Sequence, residues 1–175
     1  SGEKIDLIGP SGNGFCISKE HQSIMVVGGG IGTFPLLFLL NESPAIDKKA
    51  FLGFREKQVV VLEEEFQKAA GKVFFSTDDG SFGRKGLVSV PLSEEIAVKK
   101  PDIIYTCGPM PMIKKVVEIA KENNIKCEVS LEQRMGCGIG ACLVCACRTK
   151  FGDDWEYSHI CSDGPVFDSD KVLFE

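Results

Sequence analysis

Ser23-Ile24-Met25-Val26-Val27-Gly28-Gly29-Gly30-Ile31-Gly32-Thr33-Phe34-Pro35-Leu36-Leu37-Phe38-Leu39-Leu40 decides the fold. Ile24 to Val27 is an unbroken apolar run, short enough for a strand buried on both faces. Four glycines follow within five residues, and Thr33–Leu40 then reads as a helix with Pro35 in its first turn. Strand, glycine turn and helix in that order begin a parallel α/β unit. The stretch is uncharged, but its glycines, Pro35 and the preceding Gln22 and Ser23 interrupt it too often for a membrane span. Glycine lets the backbone turn sharply and come close to a ligand, and the helix start offers free N–H groups to an anion. The spacing from Gly28 is G-x-G-x-G, one residue short of the usual dinucleotide fingerprint. A tight turn without a ligand is therefore the competing reading.

Working outward, the alternation continues. Ala50–Phe54 and Lys72–Ser76 read as strands. Asp102–Thr106 is a strand, Pro111–Asn123 a helix, and Cys127–Leu131 a strand. Val59–Leu62 has β-branched residues, yet Leu62–Phe66 continues at helical spacing, so that segment stays open. Thr77–Gly86 is a glycine-punctuated loop, and no periodic element is read between Gly86 and Asp102. Ile5–Ile8 and Phe15–Ile17 are strand-like pieces on either side of a turn-rich segment. The expected fold is a doubly wound parallel α/β sheet of about five strands, followed by a small loop-rich C-terminal subdomain. Three strand ends carry ligand-type sequences: Gly28–Thr33, Thr77-Asp78-Asp79-Gly80 and Cys107-Gly108-Pro109-Met110. In an open α/β sheet, such ends share one crevice.

The chain has 175 residues with net charge −5, 43% hydrophobic and 26% charged. That balance is globular rather than disordered, and it argues against a nucleic-acid surface, which needs a concentrated basic patch. Residues 1–12 contain no apolar signal-like stretch, which points to the cytosol and to reduced thiols. Of the eight cysteines, four fall within residues 137–147. Cys137-x4-Cys142-x2-Cys145, followed by Cys161, is the plant-type [2Fe–2S] spacing. Gly136, Gly138 and Gly140 let a chain wrap a small cluster and aim N–H groups at its sulfurs. A closed zinc site or a set of buried thiols are the alternatives, and Cys147 is close enough to be a fifth candidate. Cys16 and Cys127 read as small apolar fillers.

A nucleotide-type α/β domain joined to an iron–sulfur loop is a redox combination. The chain resembles the electron-transfer subunit of class B dihydroorotate dehydrogenase, in the ferredoxin–NADP reductase superfamily. The resemblance is carried by Gly9-Pro10-x-Gly12-Asn13-Gly14-Phe15, Gly28–Gly32, Gly53-Phe54-Arg55 and Thr77-Asp78-Asp79-Gly80-Ser81. Cys107-Gly108-Pro109-Met110-Pro111-Met112, the cysteine loop and Cys161-x2-Gly164-Pro165-Val166-Phe167 complete it.

The resemblance implies roles. Gly28, Gly29, Gly30, Ile31, Gly32 and Thr33 would cradle the pyrophosphate of NAD(H). Gly53, Phe54, Arg55, Thr77, Asp78 and Asp79 would line the adenosine side. Gly108, Pro109 and Met110 would lie under the nicotinamide, with Cys107 as the catalytic side chain. Cys137, Cys142, Cys145 and Cys161 would hold the [2Fe–2S] cluster, leaving Cys147 free. The resemblance also makes the segment after Arg55 helical.

Residues 1–20 resemble only the last strand of the family's FAD-binding barrel and a linker, with no Arg-x-Tyr-Ser-type run before Gly9. Residues 21–132 would be the NAD-binding domain and 133–175 the cluster subdomain. The chain is thus expected to be part of a longer FAD-containing subunit and to transfer hydride poorly alone. The implied partner is an FMN-containing catalytic subunit, in a heterotetramer. A sibling reductase subunit serving a ferredoxin, a hydrogenase or a transhydrogenase-type partner is the nearest alternative. A zinc-stabilised nucleotide-binding module is a further one.

Overall fold

The computed structural model describes residues 2–7 and 9–174. Its centre is a seven-stranded sheet. The strands are β1 (Ser23–Gly29), β2 (Asp47–Phe54), β3 (Lys72–Thr77), β4 (Arg84–Lys85), β5 (Ile103–Cys107), β6 (Lys126–Ser130) and β9 (Val166–Asp168), with order β4-β3-β2-β1-β5-β6-β9. All pairings are parallel except β6 with β9. The order reverses between β1 and β5, which makes that junction the switch point of the sheet.

Helices cover both faces because the central strands β1, β2 and β5 bury apolar residues on both. In β1, Ile24 and Val26 pack with helices α1 (Thr33–Glu42) and α2 (Glu63–Ala69). Met25 and Val27 pack with α3 (Ser89–Val98) and α4 (Met110–Glu122). The α4 residues Ile113, Val116, Val117 and Ala120 recur at helical spacing and are buried. Phe51 stacks on Phe74 at 4.8 Å between ring centroids, inside the α3–α4 layer.

The five long parallel strands fall where the sequence places them. Lys57–Val59 forms a single 3-10 turn before α2, so the helix after Arg55 starts later and is shorter than the resemblance implies. Helix α3 has no counterpart in the sequence reading. Its buried residues are few (Leu92 and Ile96 one turn apart, with Pro91 and Ser89), and Pro91 in its first turn masks the pattern. Glu95 anchors it by pairing with Lys49 (3.0 Å) and Lys72 (2.5 Å) from two neighbouring strands.

One further expectation is corrected. Residues 2–7 and 14–18 form no strand, and Ile8 lies outside the described residues. Polar turn chemistry from Gly9 to Gly14 holds this segment against the C-terminal region instead of in a ladder. The C-terminal segment is tied to the core. Cys145, Ile160, Cys161 and Val172 join the α3–α4 layer, and β9 extends the main sheet. These apolar residues are too scattered along the chain to show periodicity. The rest of that segment is a hairpin of β7 (Ala146–Phe151) and β8 (Asp154–His159), where the Arg148 guanidinium lies 4.6 Å over Trp155. Among the described residues, no helix is long and apolar enough to cross a membrane.

The sheet face at β5 and β6 carries a polar cluster. The Tyr105 hydroxyl donates to the Cys16 carbonyl (2.7 Å) and lies 3.3 Å from His21 Nδ1. The Cys16 N–H donates to Glu128 Oε2 at 2.9 Å. Burial raises the Glu128 carboxyl above its ordinary value, assisted by Asp168 and opposed by the Cys16 N–H and His21. A carboxyl with a raised pKa in the fold contributes stability at low pH and loses it as pH rises through the folded value. Glu128→Gln keeps an acceptor for the Cys16 N–H. It is expected to be as stable as the parent towards pH 4, near the ordinary glutamate value of about 4.3. At neutral pH it should be more stable by roughly a few tenths of a kcal/mol, since solvent screens a half-buried group. Urea midpoints of both proteins across that range check the sign.

Candidate functional site

The carboxyl ends of the strands meet at one edge. Gly29 of β1 pairs with Gly53 of β2, Phe54 with Thr77 of β3, and Gly28 with Cys107 of β5. The three ligand-type sequences therefore share a rim, at the switch point. A cleft of about 850 Å³ opens there, with an apolar wall from Ile31, Phe34, Val59 and Leu87 and charges from Arg55, Asp78, Lys115 and Glu132.

Its floor is a contact of backbone on backbone. A Cβ on Gly29 would lie 2.6 Å from Pro109 Cδ and 2.9 Å from Met112 Sδ. One on Gly32 would meet the Cys107 carbonyl. A Cβ on Gly108, at φ +150°, would lie 2.8 Å from the Gly29 nitrogen. These glycines let the starts of α1 and α4 approach the same point. Neither helix start carries a side-chain cap, and each turns the positive end of its dipole toward the cleft.

Ten of the expected nucleotide contacts line the cleft: Gly29, Gly30, Ile31, Gly32, Gly53, Phe54, Arg55, Asp78, Gly108 and Pro109. The others sit behind it or beside it. Gly28 is buried in β1, where a Cβ would lie 2.9 Å from Thr33 Cγ2, so it sets the packing of α1. Thr33 is buried and its hydroxyl donates to the Gly30 carbonyl at 2.9 Å, fixing the glycine turn. Thr77 is buried; its Oγ1 donates to the Phe82 carbonyl (2.8 Å) and accepts the Phe82 N–H (3.1 Å). Asp79 accepts the Ser81 hydroxyl (2.7 Å) and N–H (2.9 Å), which lower its pKa. The Ser81 hydroxyl in turn accepts the Lys57 N–H at 2.8 Å. Met110 opens onto a smaller neighbouring cavity.

Cys107 requires a correction. Its side chain is 2% exposed within the α1–α2 layer, and burial raises its pKa. It does not line the cleft. A cysteine closing a parallel strand points alternately with its neighbours, and here the alternation that buries Tyr105 buries Cys107 too. Phe34, Val59, Leu87, Lys115 and Glu132 line the cleft without having been singled out, and Pro111 and Met112, quoted in the Cys107–Met112 motif without a role, line it too. Their only sequence signal is apolar or charged character next to glycine turns.

The cysteine loop spans 131–145 without helix or strand. Gly138 and Gly140 have φ of +73° and +77°, and a Cβ on Gly136 would lie 3.1 Å from Cys142 Sγ. Backbone N–H groups point at the sulfurs: Ala141 donates to Cys137 Sγ (3.3 Å) and Gly140 to Cys161 Sγ (3.1 Å). The Ile139 N–H, then the neighbouring Cys142 thiol and further N–H groups, hold the Cys137 thiol down to about 6, favouring the thiolate. Cys161 is raised by burial and by the adjacent Cys145 thiol. The thiols thus stand as two pairs, Cys137 with Cys142 and Cys145 with Cys161. Among the described residues, no three ligating side chains already stand at single-ion distances. A binuclear cluster takes two cysteines per iron, so paired thiols under amide donors fit it. Cys147 lies in β7, packs against the core and is pushed up to about 11 by burial.

The cleft floor yields a direct test. Gly29→Ala places a methyl group against Pro109 and must part β1 from the start of α4. NADH binding, titrated by fluorescence, is expected to weaken about tenfold, equivalent to about 1.4 kcal/mol.

The comparisons agree with this geometry. Residues 132–173 match the iron–sulfur cluster binding domain of dihydroorotate dehydrogenase B. The chain is 43% identical over 173 residues to "Dihydroorotate dehydrogenase B (NAD(+)), electron transfer subunit" of Caldanaerobacter subterraneus subsp. tengcongensis, covering 99% of this chain and 68% of that protein. It is 40% identical to the protein of the same name in Clostridium perfringens, again over 99% and 68%. A chain of the NADH-dependent reduced ferredoxin–NADP oxidoreductase structure superposes with TM-score 0.80 at 28% identity, covering 97% of this chain and 60% of that one. The C-terminal domain of the PF1911 hydrogenase from Pyrococcus furiosus shares the fold, with TM-score 0.56 at 22% identity over 70% of this chain and all of that one. With that identity over two thirds of its relatives' length, the chain belongs to the family of the electron transfer subunit of dihydroorotate dehydrogenase B.

Proposed function

We propose that this chain takes electrons from NADH and delivers them through FAD and a [2Fe–2S] cluster to the FMN of a dihydroorotate dehydrogenase catalytic subunit, in cytoplasmic pyrimidine biosynthesis. The observation that carries this reading is the placement of a dinucleotide-sized cleft and a two-pair cysteine loop on adjoining segments of one chain. Residues 21–132 serve the nucleotide and 133–175 the cluster.

In the cleft, the N–H groups at Gly30–Gly32 and the start of α1 hold the pyrophosphate. Phe54, Arg55 and Asp78 bound the adenosine side. Arg55 would meet the adenosine ribose or a 2′-phosphate on it, so NADH against NADPH belongs in the first binding experiment. Gly108 and Pro109 form the floor under the nicotinamide, and Ile31, Phe34 and Leu87 exclude water from it. Thr33, Thr77 and Asp79 position the turns, and Cys107 supports the floor from behind.

Cys137, Cys142, Cys145 and Cys161 hold the cluster. Amide donors from the loop stabilise their thiolates and set the potential. Bound FAD supplies the conversion of a hydride's electron pair into single electrons. The catalytic subunit is the partner, in a heterotetramer.

Anaerobically purified protein is expected to absorb in the visible, to bleach with dithionite, and to contain about two irons and two sulfides per chain. Cys142→Ser should abolish the colour and leave NADH binding intact. A colourless parent carrying one zinc would overturn the reading and leave a structural metal module. Co-purification with a ferredoxin- or hydrogenase-type partner, in place of a dihydroorotate-oxidising FMN protein, would move it to a sibling reductase.

A further inference from the structure

Cys137, Cys142 and Cys145 lie on one short loop, but Cys161 follows only after the β7–β8 hairpin. Its place depends on what holds residues 160–166. Local contacts supply part of the answer. The His159 carbonyl accepts N–H groups from Ser162, Asp163 and Gly164, at 3.2, 2.7 and 3.3 Å. The Ile160 N–H donates to the Cys145 carbonyl at 3.2 Å.

The other contacts come from the far end of the sequence. The Ser11 hydroxyl donates to the Cys161 carbonyl at 2.5 Å. The Asn13 N–H donates to the Gly164 carbonyl at 2.5 Å, and the Val166 N–H returns to the Asn13 carbonyl at 3.2 Å. Asn13 Nδ2 donates to the Asp163 carbonyl at 3.0 Å. Between them sits Gly12, at φ +73°, where a Cβ would run into the Gly164 carbonyl and lie 3.4 Å from the Cys161 carbonyl. Ser11 and Asn13 thus make four hydrogen bonds to Cys161, Asp163, Gly164 and Val166, with Gly12 packed between them.

We propose that Ser11, Gly12 and Asn13 form a positioning clamp for Cys161. By fixing its carbonyl and the following turn, the clamp sets the direction from which its sulfur approaches the cluster. It also preserves the Gly140 N–H contact to that sulfur. The clamp rests on the reading of Cys161 as a cluster ligand. A ligand held by three distant residues is the one most easily lost, because its own loop does not return it to the other three. Partners that orient a metal ligand are worth about 10–100-fold in affinity.

The test uses the full chain, purified anaerobically, as parent, Ser11→Ala, Asn13→Ala, the double variant and Ser11→Thr. Ser18→Ala is the control, since the Ser18 hydroxyl accepts the Glu20 N–H away from the turn. The readouts are bleaching of the visible bands by an iron chelator, the EPR spectrum of the dithionite-reduced protein, and its midpoint potential. NADH titration is run alongside.

The double variant is expected to bleach about tenfold faster, with a shifted EPR signal and potential and unchanged NADH binding. Ser11→Thr should restore the parent values and Ser18→Ala should keep them. A segment that merely tied down the N-terminal region would lower thermal stability without moving the EPR signal or the potential. Parent-like spectra and bleaching in Ser11→Ala, Asn13→Ala and the double variant would overturn the clamp alone. If the double variant does not fold, Ser11→Ala, which loses one hydroxyl, decides the matter. A parent without a cluster would overturn the electron-transfer reading and the clamp together.

Discussion

The structure depends on the contact between the end of β1 and the end of β5. Gly29, Gly32 and Gly108 leave no side chain between these two backbones, so Pro109 and the Cys107 carbonyl come against the glycine turn. Two helix starts are thereby aimed at one point, where the strand order reverses. A single added methyl group would separate them. The cleft exists because the sheet cannot be closed over there, and two helix starts without side-chain caps face it.

The cysteine loop obeys a different economy. It buries little apolar surface of its own, and its order comes from backbone N–H groups directed at sulfur and from glycines at positive φ. Cys145 and Cys161 enter the same apolar layer as α3 and α4, and β9 adds an antiparallel edge to β6. The loop therefore hangs from the sheet at both ends.

The parallel strands were legible because burial on both faces leaves continuous apolar runs, as in Ile24–Val27 and Ile103–Tyr105. The spacing of Cys137, Cys142 and Cys145 was legible because it is local, whereas Cys161 joins them only across the β7–β8 hairpin. Helix α3 was not, since its anchor is a long-range pairing of Glu95 with Lys49 and Lys72. Strand β9 is three residues long and is defined only by its partner. Within the motifs, residue type did not separate contact from support. Gly28, Thr33, Thr77 and Asp79 stand beside cleft residues in the chain, yet strand alternation or a local hydrogen bond turns them away. Cys107 follows the same alternation into the core.

The spacing between the two sites follows from chain length. Glu132 lines the cleft, and Cys137 is five residues further on. Five residues at full extension span at most about 18 Å, so the Cys137 backbone cannot lie further than that from Glu132 in the cleft wall. Glu132 itself leaves the end of β6 directly, through Leu131, whose N–H donates to the Pro165 carbonyl at 2.8 Å. Pro165 belongs to the turn that follows Cys161, and Asn13 bridges to it from the other side. One short stretch of backbone thus fixes the exit from the cleft, the approach to Cys137 and the position of Cys161. An interval between nucleotide and cluster that is set by backbone hydrogen bonds, and by so few residues, does not require a hinge to bring the two together.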